Sequence, residues 1–189
     1  MHEYLRSTDV IDWSDPQIQT VARSLADPQD LLETASRCFY WVRDEISHSF
    51  DVNAPCVSCT ASETLKSRTG ICYAKSHLLA ALLRANGIPA AFGYQRISLD
   101  DAGNRFCLHG FNFVFLNTYG WYAIDPRGNR DGIVTGFDPP KVSLAFETRL
   151  PGEETLTTIF TDPLPSVVVC LRSNKTVSAL RDALPDKNA

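Results

Sequence analysis

The chain has 189 residues, of which 44% are hydrophobic and 10% aromatic. A chain of this length can bury most of the surface that its unfolded form exposes, so we expect one compact domain over residues 1–189. The formal net charge is −4, and lysine and arginine are scattered along the chain. This charge distribution argues against binding to nucleic acid or to an anionic membrane, both of which favour a basic patch.

The N-terminal segment lacks the basic-then-apolar pattern of a signal peptide, and no run reaches the roughly eighteen apolar residues of a membrane span. We therefore expect a cytoplasmic protein. In that compartment its cysteines are expected to be reduced thiols, mostly packed as small core residues. The six are Cys38, Cys56, Cys59, Cys72, Cys107 and Cys170.

Two helices are predicted in the first quarter of the chain. Asp15-Pro16 and Asp27-Pro28 each place a carboxylate that can cap a helix before a proline whose fixed φ suits the first turn. Apolar residues then recur at helical spacing in both segments. They are Ile18, Val21, Ala22 and Leu25 in the first, and Leu31, Leu32, Ala35, Phe39, Val42 and Ile46 in the second.

A third and a fourth helix are predicted after a polar loop. Thr60 and Glu63 have the spacing of a capping box, which predicts a short helix beginning after Thr60. Residues 71–85 then carry a wide apolar stripe at helical spacing. Asn86-Gly87 is expected to end this helix, because glycine accepts the left-handed conformation of a C-terminal cap.

The middle of the chain changes to strands. Residues 90–99, 109–116 and 121–125 are short, rich in β-branched and aromatic residues and partly alternating. Residues 117–120 predict a hairpin turn between the last two strands. A Gly- and Asp-rich loop follows over residues 127–141, then a strand within residues 166–171 and a closing helix over residues 176–184. Helices followed by an antiparallel sheet predict an α+β fold.

Cys72 is the candidate nucleophile. It lies two residues after Gly70, in the first turn of the predicted helix 71–85. Free N–H groups and the helix dipole favour a thiolate there, and the same N–H groups can hold a developing oxyanion. A buried helical cysteine with a packing role explains this placement equally well, so a partner is needed. Lys75, one turn later, either stabilises the thiolate further or extends to water.

His109 and Asp125 are the candidate partners. If the hairpin turn centres on Asn117, the two residues are equidistant from the centre and face each other across the strands. Side chains in such a pair have Cβ atoms roughly 5 Å apart, close enough for a carboxylate to orient an imidazole. The prediction depends on register, since a slip by one residue would place them on opposite faces. Individually, a histidine at the end of a strand and an aspartate before a proline each have structural explanations.

A zinc site is the alternative role for Cys72. Cys56, Cys59, Cys72 and His77 mimic the spacing of a Cys3His site. However, His77 lies about 140° around the helix from Cys72, so the two do not share a face. We therefore expect no metal at Cys72, while a metal or redox role of Cys56 and Cys59 remains open.

These motifs together resemble the transglutaminase-like superfamily. In that family a Gly-x-Cys opens a helix that ends in a Leu-Leu-Arg and Gly-Ile-Pro segment, matching residues 70–72 and 82–90 here. A histidine follows, and sixteen positions later an aspartate after a Gly-Trp pair, matching His109, residues 120–121 and Asp125. The resemblance covers residues 31–126. It implies a papain-like fold in which the nucleophile helix packs on an antiparallel sheet.

The resemblance also implies the chemistry. A Cys72–His109–Asp125 triad would hydrolyse amides or peptides, or transfer acyl groups, through a thioester and without a cofactor. Its expected partners are a peptide, a protein or a small amide, and the sequence does not decide the oligomeric state. A scaffold or binding module that has lost activity is the alternative, and acyl transfer from a thioester donor such as a coenzyme A derivative is a third.

Two features of the expected substrate site stay open. Gln95 lies on the strand beside His109, where it would contact substrate or form a polar sheet edge. The side chain that assists the oxyanion cannot be assigned from the sequence, and the candidates are Trp41, His48 and Ser58.

Overall fold

Helices precede the sheet in the computed structural model, which describes residues 1–100 and 103–187. The helices, after a 3-10 turn at His2–Leu5, are α1 (Pro16–Leu25), α2 (Leu31–Glu45), α3 (Ala61–Ser67), α4 (Cys72–Ala85), α5 (Pro165–Ser173) and α6 (Val177–Asp182). The strands are β1 (Ser47–His48), β2 (Thr69–Gly70), β3 (Ala90–Ser98), β4 (Phe106–Leu116), β5 (Gly120–Ile124) and β6 (Glu154–Thr155). The α+β fold class is confirmed.

The main sheet is antiparallel, with strand order β5-β4-β3-β6. The long pair β3–β4 runs in register from Ala90 opposite Val114 to Ser98 opposite Phe106. The short strands β1 and β2 form a separate parallel pair in which His48 lies opposite Gly70. This small pair holds the segment before α4 against the end of α2.

Helix α4 is the centre of the fold. It packs against α1, α2 and α3 on one side and against β3 and β4 on the other. Every residue from Cys72 to Arg84 is buried, so burial extends beyond the predicted apolar stripe to all sides of the helix, its polar residues included. A helix enclosed on all sides is characteristic of a domain core rather than of a surface helix. As predicted, it ends at Asn86-Gly87, where Gly87 has a φ of +72°.

The helix caps agree with the sequence with one exception. Asp15 caps α1, accepting hydrogen bonds from the backbone N–H groups of Gln17 and Ile18. The capping box of Thr60 and Glu63 at α3 is also present.

The prediction that Asp27 caps the second helix is wrong. Asp30 caps α2 instead, accepting bonds from the N–H groups of Leu32 and Glu33. The Asp27 carboxylate accepts a bond from the N–H of Gln29, which forms a turn one step before the helix.

The strand predicted within residues 166–171 is also wrong, because this segment lies in helix α5. Pro165 occupies its first turn, where a missing N–H costs nothing. Val167, Cys170 and Leu171 are buried, and their spacing is that of one helical face. Burial of that face therefore outweighs the strand preference of three consecutive valines. The closing helix is confirmed as α6, capped by Thr176.

The far end of α4 is fixed by a buried guanidinium. Arg84 is 2% exposed and donates hydrogen bonds to the carbonyl oxygens of Arg6, Ala90 and Thr161. A buried charge requires such partners, since an unpaired one would lose its hydration without compensation. Arg84 thereby joins the N-terminal segment, β3 and the segment before α5.

Among the described residues, none of the helices has the length and apolar character that crossing a membrane requires.

Candidate active site

Cys72 is the first residue of α4, as predicted. The residue before it, Ile71, has extended backbone and provides no side-chain cap, so the N–H groups of the first turn have no side-chain acceptor. Gly70 is required by packing here, because a Cβ at this position would lie 2.9 Å from the Cβ of Ala74. The sulfur therefore lies at a closely packed helix N-terminus, where a negative charge is stabilised.

His109 and Asp125 are in contact, although not by the predicted register. The predicted pairing centres on Asn117. In the structure Leu116 pairs with Gly120 and Asn112 with Ile124, so the hairpin centres on Thr118. The pairing therefore differs by two residues, and a shift of two keeps both side chains on one face. His109 lies within β4, Asp125 directly follows β5, and their Nε2 and Oδ2 atoms are 2.7 Å apart.

Asp125 is buried and bonded by groups from three places in the chain. Besides the bond from His109, its Oδ1 accepts from the N–H of Arg127 at 3.0 Å and its Oδ2 from the N–H of Ala145 at 2.8 Å. Burial opposes the charged carboxylate, but the imidazolium of His109 and these hydrogen bonds outweigh it and hold the pKa of Asp125 below its usual value. The carboxylate is thus kept ionised and fixed in direction.

His109 is oriented between the carboxylate and the thiol. With Nε2 on Asp125, the ring leaves Nδ1 for Cys72, which lines the same cleft and lies close enough to favour the charged ring. Burial opposes the charged ring, yet the Asp125 carboxylate and Cys72 raise the pKa of His109 to about 10. The ring of Phe146 contacts the imidazole edge-on, with centroids 4.8 Å apart. The imidazole is therefore held as a cation in the neutral range.

A cleft of about 240 Å3 opens at Cys72 and His109. Its walls come from the loop after β1, the start of α4, β3 and β4, the segment after β5, and α6. The other lining residues are His48, Phe50, Asp51, Ile71, Tyr73, Ile97, Leu99, Cys107, Leu108, Arg127, Arg130, Phe146, Arg181 and Leu184. The cleft is smaller than the roughly 300–1,000 Å3 of drug-sized ligand sites. This size suits a short chain segment or a small molecule.

Of the three candidates for an oxyanion-assisting side chain, His48 lines the cleft. Ser58 donates its hydroxyl to the carbonyl oxygen of Thr69, and Trp41 packs beneath the guanidinium of Arg68; neither lines the cleft. Burial and the nearby Arg127 lower the pKa of His48 to about 3, so its ring is neutral. A neutral imidazole carries one N–H donor, which is what a developing oxyanion requires.

Gln95 lies directly opposite His109 in the β3–β4 register, as its position on the strand suggests. Its side chain is buried and does not line the cleft; its Nε2 donates to the carbonyl oxygen of Phe146 at 3.1 Å and to the hydroxyl of Thr155 at 3.0 Å. These contacts hold the backbone that carries the Phe146 ring. Contact of Gln95 with substrate stays a prediction that this geometry does not support.

Lys75 is buried rather than extended to water. Its Nζ donates to the carbonyl oxygens of Arg43, at 3.1 Å, and Ile46, at the C-terminal end of α2. Burial lowers the pKa of Lys75 to about 7. The lysine thus joins α2 to α4 behind the cleft.

The cysteines of the zinc alternative do not meet Cys72. Among residues 1–100 and 103–187, no group of three His, Cys, Asp or Glu side chains is placed to hold a metal ion. His77 is buried in the core, with Nδ1 2.7 Å from the carbonyl oxygen of Cys59. Cys56 is exposed.

The sequence did not reveal the contacts that residues 126–146 make with the candidate triad. Ala145 and Phe146 lie twenty residues or more beyond Asp125, in a segment without periodicity, yet one binds the carboxylate and the other contacts the imidazole. A backbone N–H and a packed ring leave no signature in a single sequence.

The family model of the transglutaminase-like superfamily matches residues 19–126. This range is more than half of the chain and includes Cys72, His109 and Asp125. The chain therefore belongs to the transglutaminase-like superfamily, whose members are typically cysteine-dependent. A search of curated protein sequences found no significant match.

Of the three solved structures compared next, the first has a TM-score above 0.5 and agrees with this assignment at the level of the fold. A candidate cysteine protease from Cytophaga hutchinsonii is 18% identical with a TM-score of 0.52, over 66% of this chain and 40% of that one. The periplasmic domain of TgpA from Pseudomonas aeruginosa is 22% identical, with a TM-score of 0.48, over 65% and 45%. Red sea bream transglutaminase is 13% identical, with a TM-score of 0.47, over 61% and 27%. The alignments thus cover less than half the length of each of these structures.

Proposed function

We propose that this protein is a thiol enzyme that cleaves a peptide or small amide, or transfers its acyl group, through a thioester on Cys72. The observation that carries the proposal is the arrangement of Cys72, His109 and Asp125. A sulfur at a helix N-terminus shares a cleft with a buried imidazole, and that imidazole is bonded at 2.7 Å to a buried carboxylate.

The proposed reaction has two steps. The Cys72 thiolate attacks the carbonyl carbon, forming a C–S bond and an oxyanion; the intermediate then expels the amine, which takes its proton from His109. In the second step water attacks the thioester while His109 removes its proton, and the C–S bond breaks to release the acid. An amine in place of water gives acyl transfer instead. Asp125 keeps the imidazole oriented throughout.

Two groups support an oxyanion site beside Cys72. The N–H of Cys72 itself lies at the start of α4, and His48 lines the same cleft. Donors fixed before the reaction stabilise developing charge without reorganising, which is often the largest contribution to catalysis of this type. We assign His48 as the side-chain donor in the proposed mechanism.

The test is covalent labelling followed by turnover. Iodoacetamide near neutral pH should modify Cys72 faster than any other cysteine, as read by mass spectrometry of the intact protein and its peptides. Cys72→Ala should abolish this rapid labelling and all release of amine from a library of peptide amides. Cys56→Ala is the matched control, because Cys56 is exposed and lies outside the cleft.

Two results would contradict the proposal. One is an unchanged labelling rate in Cys72→Ala, which would place the reactive thiol elsewhere. The other is rapid labelling of Cys72 without turnover of any amide, with or without added amines, which would favour the scaffold alternative. Adding an amine such as glycine methyl ester separates hydrolysis from acyl transfer, because transfer yields a new amide rather than the acid.

A further inference from the structure

The cleft at Cys72 has a charge opposite to that of the whole chain. The protein has a formal net charge of −4. Its cleft is lined by Arg127, Arg130 and Arg181 but by a single carboxylate outside the His109–Asp125 pair, that of Asp51. The described lining contains no glutamate and no lysine. With His109 and Asp125 counted as one neutral pair, the described lining carries three guanidinium groups and one carboxylate, an excess of two positive charges before any charge on Cys72.

One of the three arginines is neutralised within the protein. Arg127 is bound by Asp51 in a two-pronged ion pair, with nitrogen–oxygen distances of 2.5 and 2.9 Å, and its side chain is 5% exposed. This geometry satisfies both partners, as is typical of a guanidinium and a carboxylate. Arg127 and Asp51 thus form a fixed, neutral part of the wall.

The other two arginines keep most of their hydrogen-bonding capacity. Arg130 makes a single bond to Asp51, through Nη1 at 3.3 Å, and its side chain is 56% exposed. The guanidinium of Arg181 lies over the ring of Phe50, 4.7 Å from its centroid, and no carboxylate of the described residues lies within ion-pair distance of it. Stacking restrains the guanidinium while leaving the N–H groups at its edge available to a ligand.

We infer that the cleft selects substrates with a carboxylate close to the scissile amide, bound by Arg130 and Arg181. This inference rests on the proposed function and specifies its substrate class: a peptide with an acidic side chain, or with a free C-terminus, next to the cleaved bond. Guanidinium groups match a carboxylate in shape as well as charge. The small volume of the cleft fits a side chain of this size.

A carboxylate fits these observations better than a nucleotide phosphate. Phosphate chains are usually held by several backbone N–H groups of a glycine-rich loop. The described residues that line the cleft include no glycine. Asp51 shows, in addition, that guanidinium groups at this wall already bind a carboxylate.

The first test compares two reagents of nearly equal size, iodoacetate and iodoacetamide. The rate of Cys72 modification is measured for each by peptide mass spectrometry, and their ratio is compared between variants. Arg181→Gln and Arg130→Gln should each lower the iodoacetate-to-iodoacetamide ratio by about fivefold, and the double variant further, because each removes one charge that attracts the anion. Added salt should reduce the wild-type ratio as well.

Arg23→Gln is the matched control, since it removes the same charge from an exposed position on α1 away from the cleft. Its ratio should equal that of the wild type. An unchanged ratio in the Arg130→Gln and Arg181→Gln double variant would overturn the inference. Protection of Cys72 by inorganic phosphate, at concentrations where acetate gives none, would also overturn it in favour of a phosphate site.

A second measurement separates this inference from the proposed function. If neither reagent modifies Cys72, the proposed nucleophile is wrong. The preference of the cleft for a carboxylate can then still be tested by measuring ligand binding. N-acetylglutamate amide and N-acetylglutamine amide differ only in the carboxylate, and each can be titrated into the wild-type protein by calorimetry. The inference is supported if the glutamate compound binds more tightly than the glutamine compound and if this binding is lost in the double variant. Equal binding of the two compounds contradicts it.

Discussion

Residues 72–125 and residues 126–164 contribute to the same site but are built differently. The described part of the first region consists mainly of α4 and the strands β3, β4 and β5, and it supplies the sulfur, the imidazole and the carboxylate. The second carries the two-residue strand β6 and isolated bridges, such as that between Phe92 and Phe160. It supplies Arg127, Arg130 and Phe146 to the cleft.

The comparison shows that regular and irregular backbone contribute different parts of the site. Regular elements carry the candidate nucleophile and bring His109 and Asp125 within hydrogen-bond distance, because helix and sheet geometry leave little freedom. The irregular segment then surrounds these atoms with backbone donors, a packed ring and charges. Asp125 joins the two, since it follows β5 and accepts hydrogen bonds from the N–H groups of Arg127 and Ala145. Four predictions test this division, in order of decreasing effect.

The largest effect is expected at the residue shared by the two regions. Asp125→Asn should lower the rate of amide turnover, and of Cys72 alkylation, by about 10^3–10^4-fold, because an amide neither stabilises the imidazolium nor fixes its tautomer. Stopped-flow or mass-spectrometric rates measure this directly. Asp162→Asn, which removes an exposed carboxylate paired with Arg6, is the control. A loss below tenfold would show that the carboxylate is dispensable for the chemistry.

The second prediction contrasts packing in the two regions. A Cβ at Gly93, in β3, would lie 2.4 Å from the ring of Phe111 and 2.7 Å from that of Phe113. Gly93→Ala should therefore lower the free energy of unfolding by about 1–3 kcal/mol, as overpacking does. A Cβ at Gly136, in the irregular segment, meets nothing within 4 Å, so Gly136→Ala is the matched control. Similar urea midpoints for the two variants would contradict the contrast.

The third prediction concerns acid stability. Burial lowers the pKa of His77 to about 4, below the 6.5 of an unfolded chain. Between these values the unfolded state binds the extra proton, so stability falls as the pH decreases, by up to about 1.4 kcal/mol per pH unit. His77→Gln should weaken this dependence between pH 6.5 and 4.5, as measured by denaturation at each pH. An unchanged slope would mean that His77 is protonated in the folded protein.

The smallest effect tests the irregular segment alone. Ala145→Pro removes the backbone N–H that donates to Asp125, which should slow Cys72 alkylation by about tenfold, since one hydrogen bond to a charged group is lost. Ala145→Gly keeps that N–H and should react at close to the wild-type rate. Equal rates in the two variants would show that this bond does not contribute to orienting the carboxylate.

Local sequence patterns predicted the regular region and not the irregular one. The start and end of α4 follow from Gly70, the apolar spacing and Gly87, and the hairpin follows from residues 117–120. These features arise from neighbouring residues, so one sequence contains them. The hairpin register was predicted two residues off, because its centre depends on how many residues the turn uses.

The errors elsewhere have a common physical cause. The segment that forms α5 contains both a strand-like run of valines and a helical burial pattern, and tertiary packing decides between them. The contacts of Ala145 and Phe146 with the candidate site depend on where a long irregular segment returns to the sheet. Neither outcome is determined by nearby residues, so neither can be derived from spacing or composition.

The buried guanidinium of Arg84 has a consequence for the order in which the chain folds during synthesis. Its acceptors on Arg6 and Thr161 stand at opposite ends of the chain, and the ribosome releases the N-terminal one first. We expect α4 and the β3–β4 hairpin to associate in the nascent chain while this arginine is still hydrated. The burial of Arg84 would then be the last step of folding, after the transition state. Arg84→Lys should therefore accelerate unfolding and leave the refolding rate nearly unchanged.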